Sequence, residues 1–590
     1  MPIKQFKSTI YWTLIYGIIL DSEGTDMLNF IIGTAGSGKS YTLQHKLIDE
    51  SIKNPDSRFV LLVPDQYSLE AQKEILDKHP NHGAFNIEVS SFNRLAYEVL
   101  DEMGFGEAKM MDELTKSILV RKALIDCAKD LKVYGGKINM PGFTEKVKSV
   151  LDEFGQYEID DEKLEEIIGE CEGTLQNKLK DVQIIREAFN KYIDKQNLTR
   201  EELLDKFMDL MDGSDIIKNT YIYIDGFTGF TPIQEKVIGK LADNAKDVTV
   251  TSTLKTKEVD DIVALAKDKG LRPEDRKEKI NELMPEDSLY LLGQKTVYHL
   301  AENNEINEII KVENENDKPY RIKYNEVLSF VSNNVFGQDT KLYDKPQDSL
   351  EIHEANSLEN EVLSVVKTIS ALVRTGDYRY RDFVIITGDM ENYYKYIRKL
   401  FKKYKIPVFI DYKRSTRENL FADLIISLIR VVEYNFAYQS LFKILRSGIT
   451  PISESEIDLI ENYVITFRRT TFKSFSMEWK RKMDGIDLKQ VNDIRARIYD
   501  LFKDYMSAMT KKGVTVGDYC QAIYAFLEKL EVNKRIEEYI KQFKENKEYA
   551  LEDEYLQIYA AIIKLLESLE STLKDETINI DDLNGLLLAE

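Results

Sequence analysis

From residue 27 onward the apolar positions of the chain fall into two alternating kinds of run. Segments 28–32 (LNFII) and 59–64 (FVLLVP) are short and continuously apolar, as strands buried on both faces are. Behind each, apolar residues recur at helical spacing, to about Ile52 and over 67–78. A third strand is expected within 85–91 (FNIEVSS), with a helix from Phe92. Strands separated by helices point to a parallel sheet with crossover helices. The alternation stops near Asp112. From there to 218 the pattern is of amphipathic helices, and Leu114, Ile118, Leu119, Ala123, Leu124 and Cys127 share one apolar stripe, so Cys127 belongs to a core. Strand patterning returns at 221–225 (YIYID) and 247–253 (DVTVTST), with a helix over 232–244 between them.

Residues 255–345 are charged and irregular. Beyond them a second α/β unit is expected, with strands 350–355 (LEIHEA), 383–387 (FVIIT) and 406–411 (IPVFID) and helices 357–374 and 389–404. Three strands make a small sheet, so this unit reads as incomplete. The remainder, 418–590, is nearly all helical, with a stripe through Leu556, Tyr559, Ile563, Leu566 and Leu569. The chain therefore reads as a helix-rich α/β protein in six stretches: a non-core extension (1–26), the first part of a sheet domain (27–110), a helical insertion (111–219), the rest of that domain with a connecting segment (220–345), the incomplete second unit (346–416) and a second helical insertion (417–590).

Composition changes this picture in three places. A hydrophobic fraction of 43% excludes wholesale disorder. The only cysteines, Cys127, Cys171 and Cys520, lie far apart; they exclude a disulfide framework and a CxxC knuckle and point to the cytoplasm. With 81 Lys+Arg against 102 Asp+Glu the formal charge is −21, which argues against duplex binding by global electrostatics and leaves a local basic channel open. Residues 9–20 (TIYWTLIYGIIL) are apolar but shorter than the roughly 20 residues of a bilayer span. DSEGTD follows them where a signal peptide has its small-residue cleavage site, so 1–26 reads as an upstream extension, with Met27 opening the first strand. No membrane partner is expected.

The strongest chemical motif is Gly33, Thr34, Ala35, Gly36, Ser37, Gly38, Lys39 and Ser40, which fits G-x-x-x-x-G-K-[ST] between a strand and a helix. Backbone N–H groups of such a loop wrap phosphates, the lysine reaches the β- and γ-phosphates, and the serine hydroxyl holds Mg²⁺. The alternative is a flexible turn that merely connects two elements. The magnesium partner is expected at the end of a neighbouring strand, where Asp225 closes YIYID in the Walker B position; the plain alternative is an Asp-Gly turn. Many helicase-type ATPases place a glutamate directly after this aspartate to activate water. Here Gly226 follows, and Glu235 is too far along the chain to substitute, so binding is better supported than fast hydrolysis.

Four segments in order, MLNFIIGTAGSGKSYTL, FVLLVPDQYSLEAQ, VSSFNRLAYEVL and YIYIDGFTGFTPIQ, resemble the AddB-type subunit of the bacterial AddAB helicase-nuclease, which is related to superfamily 1 helicases of the UvrD type. The resemblance implies a P-loop RecA-like domain with a helical insertion, a second RecA-like unit, and ATP and Mg²⁺ as cofactors. It carries the family's P-loop onto Gly33–Ser40, its second signature onto Val63, Pro64, Asp65 and Gln66, and its Walker B-like element onto Asp225, Gly226 and Phe227. It also implies an AddA-type helicase-nuclease partner in a heterodimer that processes double-stranded DNA ends and single strands for recombinational repair. The family continues into a RecB-like nuclease whose clustered cysteines hold an iron–sulfur cluster, and no such cluster of cysteines stands here. The chain is accordingly read as the amino-terminal half of an AddB-type protein. Two rival readings are a self-contained superfamily 1 helicase and a non-catalytic DNA-threading or partner scaffold with a vestigial P-loop.

Further residues carry two readings each. Gln66 sits where helicases contact single strands, or in a plain helix-entry turn. Ser90, Ser91, Phe92 and Arg94 contact phosphate and stack a base, or simply begin a helix. The basic-aromatic stretches 393–405 and 467–482 fit strand-binding grooves, or more simply solvated amphipathic faces.

Overall fold

The strands expected from the apolar runs form, joined by one more, a six-stranded sheet in which every neighbouring pair is parallel. In chain order β1 is Leu28–Gly33, β2 Arg58–Leu62, β3 Ile87–Ser90, β4 Lys109–Met110, β5 Asn197–Leu198, β6 Thr220–Ile224, β7 Asp247–Thr253 and β8 Ile306–Lys311. The main sheet runs β3-β2-β6-β7-β1-β8, while β4 and β5 make a separate two-residue parallel pair. The protein is described here from a computed structural model over residues 28–83, 85–105, 109–138, 140, 142–193, 197–313, 318–335, 341–412 and 419–587. The extension 1–26 lies outside the described residues.

Period-two alternation sends each central strand into two cores. Phe30, Ile32, Leu62, Ile224 and Val250 face one side, against helices Phe92–Glu102, Arg200–Met211, Pro232–Asn244, Val259–Lys267 and Leu291–Asn303. Ile31, Phe59, Leu61, Val63 and Tyr223 face the other, against helices Lys39–Lys53 and Ser68–Lys78. Burial on both faces is why β1 and β2 read as unbroken apolar runs. The stretch 255–345, which the sequence left irregular, holds β8 and the helices Val259–Lys267, Pro273–Leu283, Leu291–Asn303 and Glu326–Asn334. Pro273–Leu283 buries no residue, and β8 is only part-buried at the sheet's edge, so neither shows a clear apolar period.

Gly293 lets helix Leu291–Asn303 press on the end of β7. A Cβ there would stand 2.2 Å from the Thr253 carbonyl oxygen, and the Ser252 hydroxyl donates to the Gly293 carbonyl at 3.1 Å. Gly293→Ala forces a backbone shift; a loss of about 1–3 kcal/mol is expected in urea unfolding, and an unchanged midpoint would refute the contact.

At the opposite end of the sheet Asp247 is held among β1, β7 and the helix Lys39–Lys53. It accepts from the Asn29 side-chain amide at 2.5 Å and from the Thr249 hydroxyl at 3.2 Å. Burial pushes its carboxyl up to about 6; Lys46 opposes the rise and Glu50 adds to it. The folded state thus prefers the protonated acid more than the unfolded chain does. The resulting penalty is absent at pH values below the unfolded pKa, grows between about 4 and 6 and is complete above, where it amounts to on the order of 2–3 kcal/mol. Asp247→Asn is expected to raise the melting temperature at pH 7.5 and to leave it unchanged near pH 3.5.

The protein divides into two compact units. The first holds the sheet: residues up to 111, 149–171 and 193–350. The second comprises 112–148, 172–192 and 351–590, so helices of the expected 111–219 insertion are shared between the units. Within the second unit, helix Glu113–Cys127 packs on Gly173–Asn190, Tyr549–Leu573 and Ile580–Leu587.

The expected strands at 350–355, 383–387 and 406–411 are not formed; their residues carry neither helix nor ladder. The helices between them, Leu358–Thr375 and Met390–Tyr404, do form and pack through Val362, Val366, Ile369, Ile397, Leu400 and Phe401. Ile352, Val384, Ile386 and Phe409 are 93%, 82%, 88% and 90% exposed. A strand exists only through hydrogen bonds to a neighbour, and these segments have none among the described residues.

Candidate functional site

Residues after β1 turn sharply because two glycines take left-handed angles, Gly36 at φ 76° and Gly38 at φ 114°. Gly33 is equally constrained, since a Cβ there would lie 2.5 Å from the Ser37 hydroxyl oxygen and 2.9 Å from the Val312 carbonyl oxygen. Gly38 then caps helix Lys39–Lys53 with no side-chain hydrogen bond, so the amides of the first turn keep their donors for another acceptor. Thr34, Ala35 and Ser40 are at least partly accessible around the turn, whereas the Ser37 hydroxyl is buried without a hydrogen-bond partner. Lys39 folds back over the loop, its ammonium donating to the Thr34 carbonyl at 3.0 Å. Burial pushes that ammonium down to about 8; the Asp225 carboxylate opposes the shift and the Arg321 guanidinium reinforces it.

Asp225 follows β6 directly and is 3% exposed. Its N–H donates to the Leu62 carbonyl at 3.0 Å, continuing the ladder, and its Oδ1 accepts from the Thr251 hydroxyl at 2.7 Å. Because β7 lies between β1 and β6, Thr251 stands between the glycine-rich turn and the carboxylate. The sequence offered Thr251 only as one of several threonines in DVTVTST; the sheet order singles it out.

Gly226 has φ 83°, and a Cβ on it would lie 3.4 Å from Pro64 and 3.6 Å from Tyr67. The 64–67 turn therefore lies against the position after Asp225. Tyr67 is pushed up to about 12, chiefly by burial and then by Glu74 and Asp225. Glu235 is engaged elsewhere, 3.0 Å from the His299 ring nitrogen, and this hydrogen bond raises the histidine above its ordinary value.

Arg321 was missed in the sequence. It belongs to a short 3₁₀ turn, Tyr320–Ile322, whose Arg321 N–H donates to the Gly36 carbonyl at 3.0 Å. Beside it Tyr320 is 68% exposed, and the Lys323 ammonium sits 4.2 Å from that ring's centre. The available signal was the interleaving of rings and cations in 318–324 (KPYRIKY), the same pattern noted at 393–405 and 467–482.

The remaining candidates separate. Gln66 is exposed on the 3₁₀ turn Asp65–Tyr67, and Arg94 is exposed on helix Phe92–Glu102. Ser91 caps that helix by position, buried, with a hydroxyl that has no partner. Phe92 is not open to a base: it is 4% exposed and packs edge-on against Phe227 and Phe230 at 5.6 and 6.3 Å. A helix-entry aromatic beside apolar strands gains more from the core than from solvent, so its expected stacking role is withdrawn. Cys127 and Cys520 are buried, with burial pushing their thiols up to about 11 and about 12, and Cys171 is half-buried.

A parallel sheet with this order, with a glycine-rich turn after β1 and a carboxylate closing β6, is a RecA-like α/β domain, here joined to a helical carboxyl-terminal region. Residues 30–269 match the family model described as "ADDB, N-terminal". The chain is 30% identical over 573 residues to an ATP-dependent helicase/deoxyribonuclease subunit from Lachnoclostridium phytofermentans, covering 95% of this chain and 48% of that protein. It is 29% identical over 559 residues to the protein of the same name from Clostridium novyi, covering 95% and 47%. The chain belongs to the AddB-type family and spans about half the length of the curated relatives it matches. No helix among the described residues is long and apolar enough to cross a membrane.

Proposed function

We propose that this chain is the ATP-binding, helicase-like part of a heterodimeric DNA helicase-exonuclease that processes double-strand breaks for recombinational repair, with an AddA-type motor as its partner. The observation that carries the nucleotide reading is the placement of the Gly33–Ser40 turn, Lys39 and Asp225 at one carboxyl end of the parallel sheet, where α/β folds bind ligands. The residues suit ATP and Mg²⁺. The helix lacks a side-chain cap, open space surrounds Gly38, and two loop-anchored cations, Lys39 and Arg321, meet at the turn. Lys39 would hold the β- and γ-phosphates and Arg321 would add a second positive charge beside them. Ser40 and Asp225 would hold the magnesium, which supplies charge neutralisation between the phosphates when bound. Thr251 fixes the Asp225 carboxylate.

Binding for a regulatory or structural purpose is favoured over rapid turnover, because Gly226 offers no base and Glu235 is tied to His299. DNA contacts are assigned to Gln66 and Arg94, both exposed near the same end of the sheet as the nucleotide turn; Ser91, 4% exposed, is set aside on the same ground as Phe92. The test is equilibrium binding of ATP with and without Mg²⁺, by the chain and by Asp225→Asn. The chain is expected to bind more tightly with magnesium, and the variant to lose that increment while keeping magnesium-free affinity. No binding at millimolar ATP would favour a vestigial loop and overturn the reading.

A further inference from the structure

The segment that follows helix Glu454–Phe467 concentrates positive charge. Residues 468–482 carry Arg468, Arg469, Lys473, Lys480, Arg481 and Lys482 against a single acid, Glu478, in a protein of net charge −21. The next acids, Asp484 and Asp487, lie beyond this stretch, and Asp487 caps helix Leu488–Met509. The three rings of the segment pack inward while its cations face out, with Phe472 half-buried against Phe436 and Tyr499. Phe475 and Trp479 are buried, and the Trp479 ring stacks on Tyr463 with centroids 4.8 Å apart and planes within 1°. The Trp479 indole N–H donates to the Ser474 carbonyl at 2.8 Å. Asn492 holds the Trp479 backbone from both sides, accepting its N–H at 2.9 Å and donating to its carbonyl at 2.9 Å. Tyr463 donates to the Arg481 carbonyl at 2.8 Å, and Arg495 to the Phe475 carbonyl.

An anchored segment thus presents its charges outward. Arg468, Lys473, Lys480 and Lys482 are exposed and form no ion pair among the described residues. Cations nearby in the same unit are neutralised: Arg446 pairs with Asp458 at 2.6 Å and with Glu461, and Arg497 with Glu456 at 2.5 Å. Like charges gathered around a single counter-charge, Glu478, repel, and a polyanion relieves that repulsion while releasing its own counterions. We propose that this ridge contacts the phosphate backbone of nucleic acid. The choice of polyanion rests on the DNA-processing role proposed above; the ridge itself is independent of the nucleotide turn. Since Phe475 and Trp479 are buried and Phe472 is packed on Phe436 and Tyr499, the contact works by charge alone, is insensitive to base sequence and falls steeply with salt.

The test is fluorescence-anisotropy titration of labelled duplexes of two unrelated sequences from 50 to 300 mM salt, on the 590-residue chain and on Lys473→Glu/Lys480→Glu/Lys482→Glu. The triple variant is expected to lose about tenfold or more in affinity for both duplexes near 100 mM salt, and the slope of log K against log salt to fall by about two to three. Lys473→Gln/Lys482→Gln, which adds no negative charge, is expected to lower the slope by about one to two and keeps the test decisive should the triple variant not fold. If the unaltered chain binds DNA and folded variants bind it with the same affinity and slope, the ridge assignment is wrong and the DNA-processing role stands. If the unaltered chain shows no salt-dependent DNA binding, that role fails and the ridge assignment with it. Transfer of the charge-dependent binding to phosphatidylserine vesicles, with DNA unaffected, also overturns it.

Discussion

Lys39→Ala is expected to lower ATP affinity by about 100-fold while leaving the unfolding midpoint within experimental scatter. Lys39 is half-buried in the turn, where its ammonium donates to the Thr34 carbonyl, and burial with Arg321 nearby already disfavours its charge. Losing it costs the fold little. A bound triphosphate supplies a charge-assisted acceptor, worth about 3 kcal/mol per contact of this kind. The pH profile gives a second readout. An ammonium with a pKa of about 8 must be protonated to hold phosphate, so ATP affinity is expected to be flat below that value and to fall about tenfold per pH unit above it. Lys39→Arg, which keeps its charge throughout, removes that dependence. Isothermal titration between pH 6.5 and 9.5 decides the matter, and unchanged affinity in Lys39→Ala would sink the site.

Asp181→Ala is expected to destabilise the second unit strongly. The Asp181 carboxylate is 1% exposed and accepts three backbone N–H groups, from Lys132 at 2.9 Å, Val133 at 2.7 Å and Tyr134 at 2.9 Å. It thereby closes the chain that follows helix Glu113–Cys127 onto helix Gly173–Asn190. Alanine leaves three peptide donors without their acceptor in a site water does not readily reach. Unsatisfied buried donors cost about 1–3 kcal/mol each when nothing replaces the partner, and local relaxation recovers part of that, so about 3–4 kcal/mol is expected. Asp181→Asn keeps the shape but turns an amide toward the donors, and is expected to recover less than half the loss. Chemical denaturation followed by circular dichroism measures both; a loss under 1 kcal/mol for alanine would show that the clamp is dispensable.

Three of the legible strands share one property. β1, β2 and β6 lie inside the sheet with both faces covered, so burial wrote an apolar run into each; β7, also inside, alternates valine with threonine, and β3, part-buried at one edge, was read as well. β8, at the edge and part-exposed, carries no such run and went unread. The opposite error occurred at 383–387, where FVIIT has strand composition but no neighbouring strand pairs with it, leaving Val384 and Ile386 exposed. Composition records a preference for burial, while pairing depends on what lies alongside.

The candidate site divides in the same way. The Gly33–Ser40 turn was readable because its demands are local: two left-handed glycines, a lysine and a helix start, all within one stretch of chain. Asp225 was readable because it closes an apolar strand, where a phosphate-binding turn calls for a magnesium-holding acid. Thr251 and Arg321 were not, since their significance lies in neighbours remote in sequence: Asp225 across one strand step for Thr251, and Gly36 for Arg321. Phe92 was misread for the converse reason, as the rings of Phe227 and Phe230 that bury it come from the far side of the helical insertion. Contiguous periodicity and spacing were therefore enough for the class of sheet and its glycine-rich turn, while the resemblance of four segments in order pointed to the family. The strand order, the hydroxyl that holds Asp225, the second cation at the turn and the set of aromatics open to solvent emerged only in three dimensions, because each is a relation between distant segments that no local pattern records.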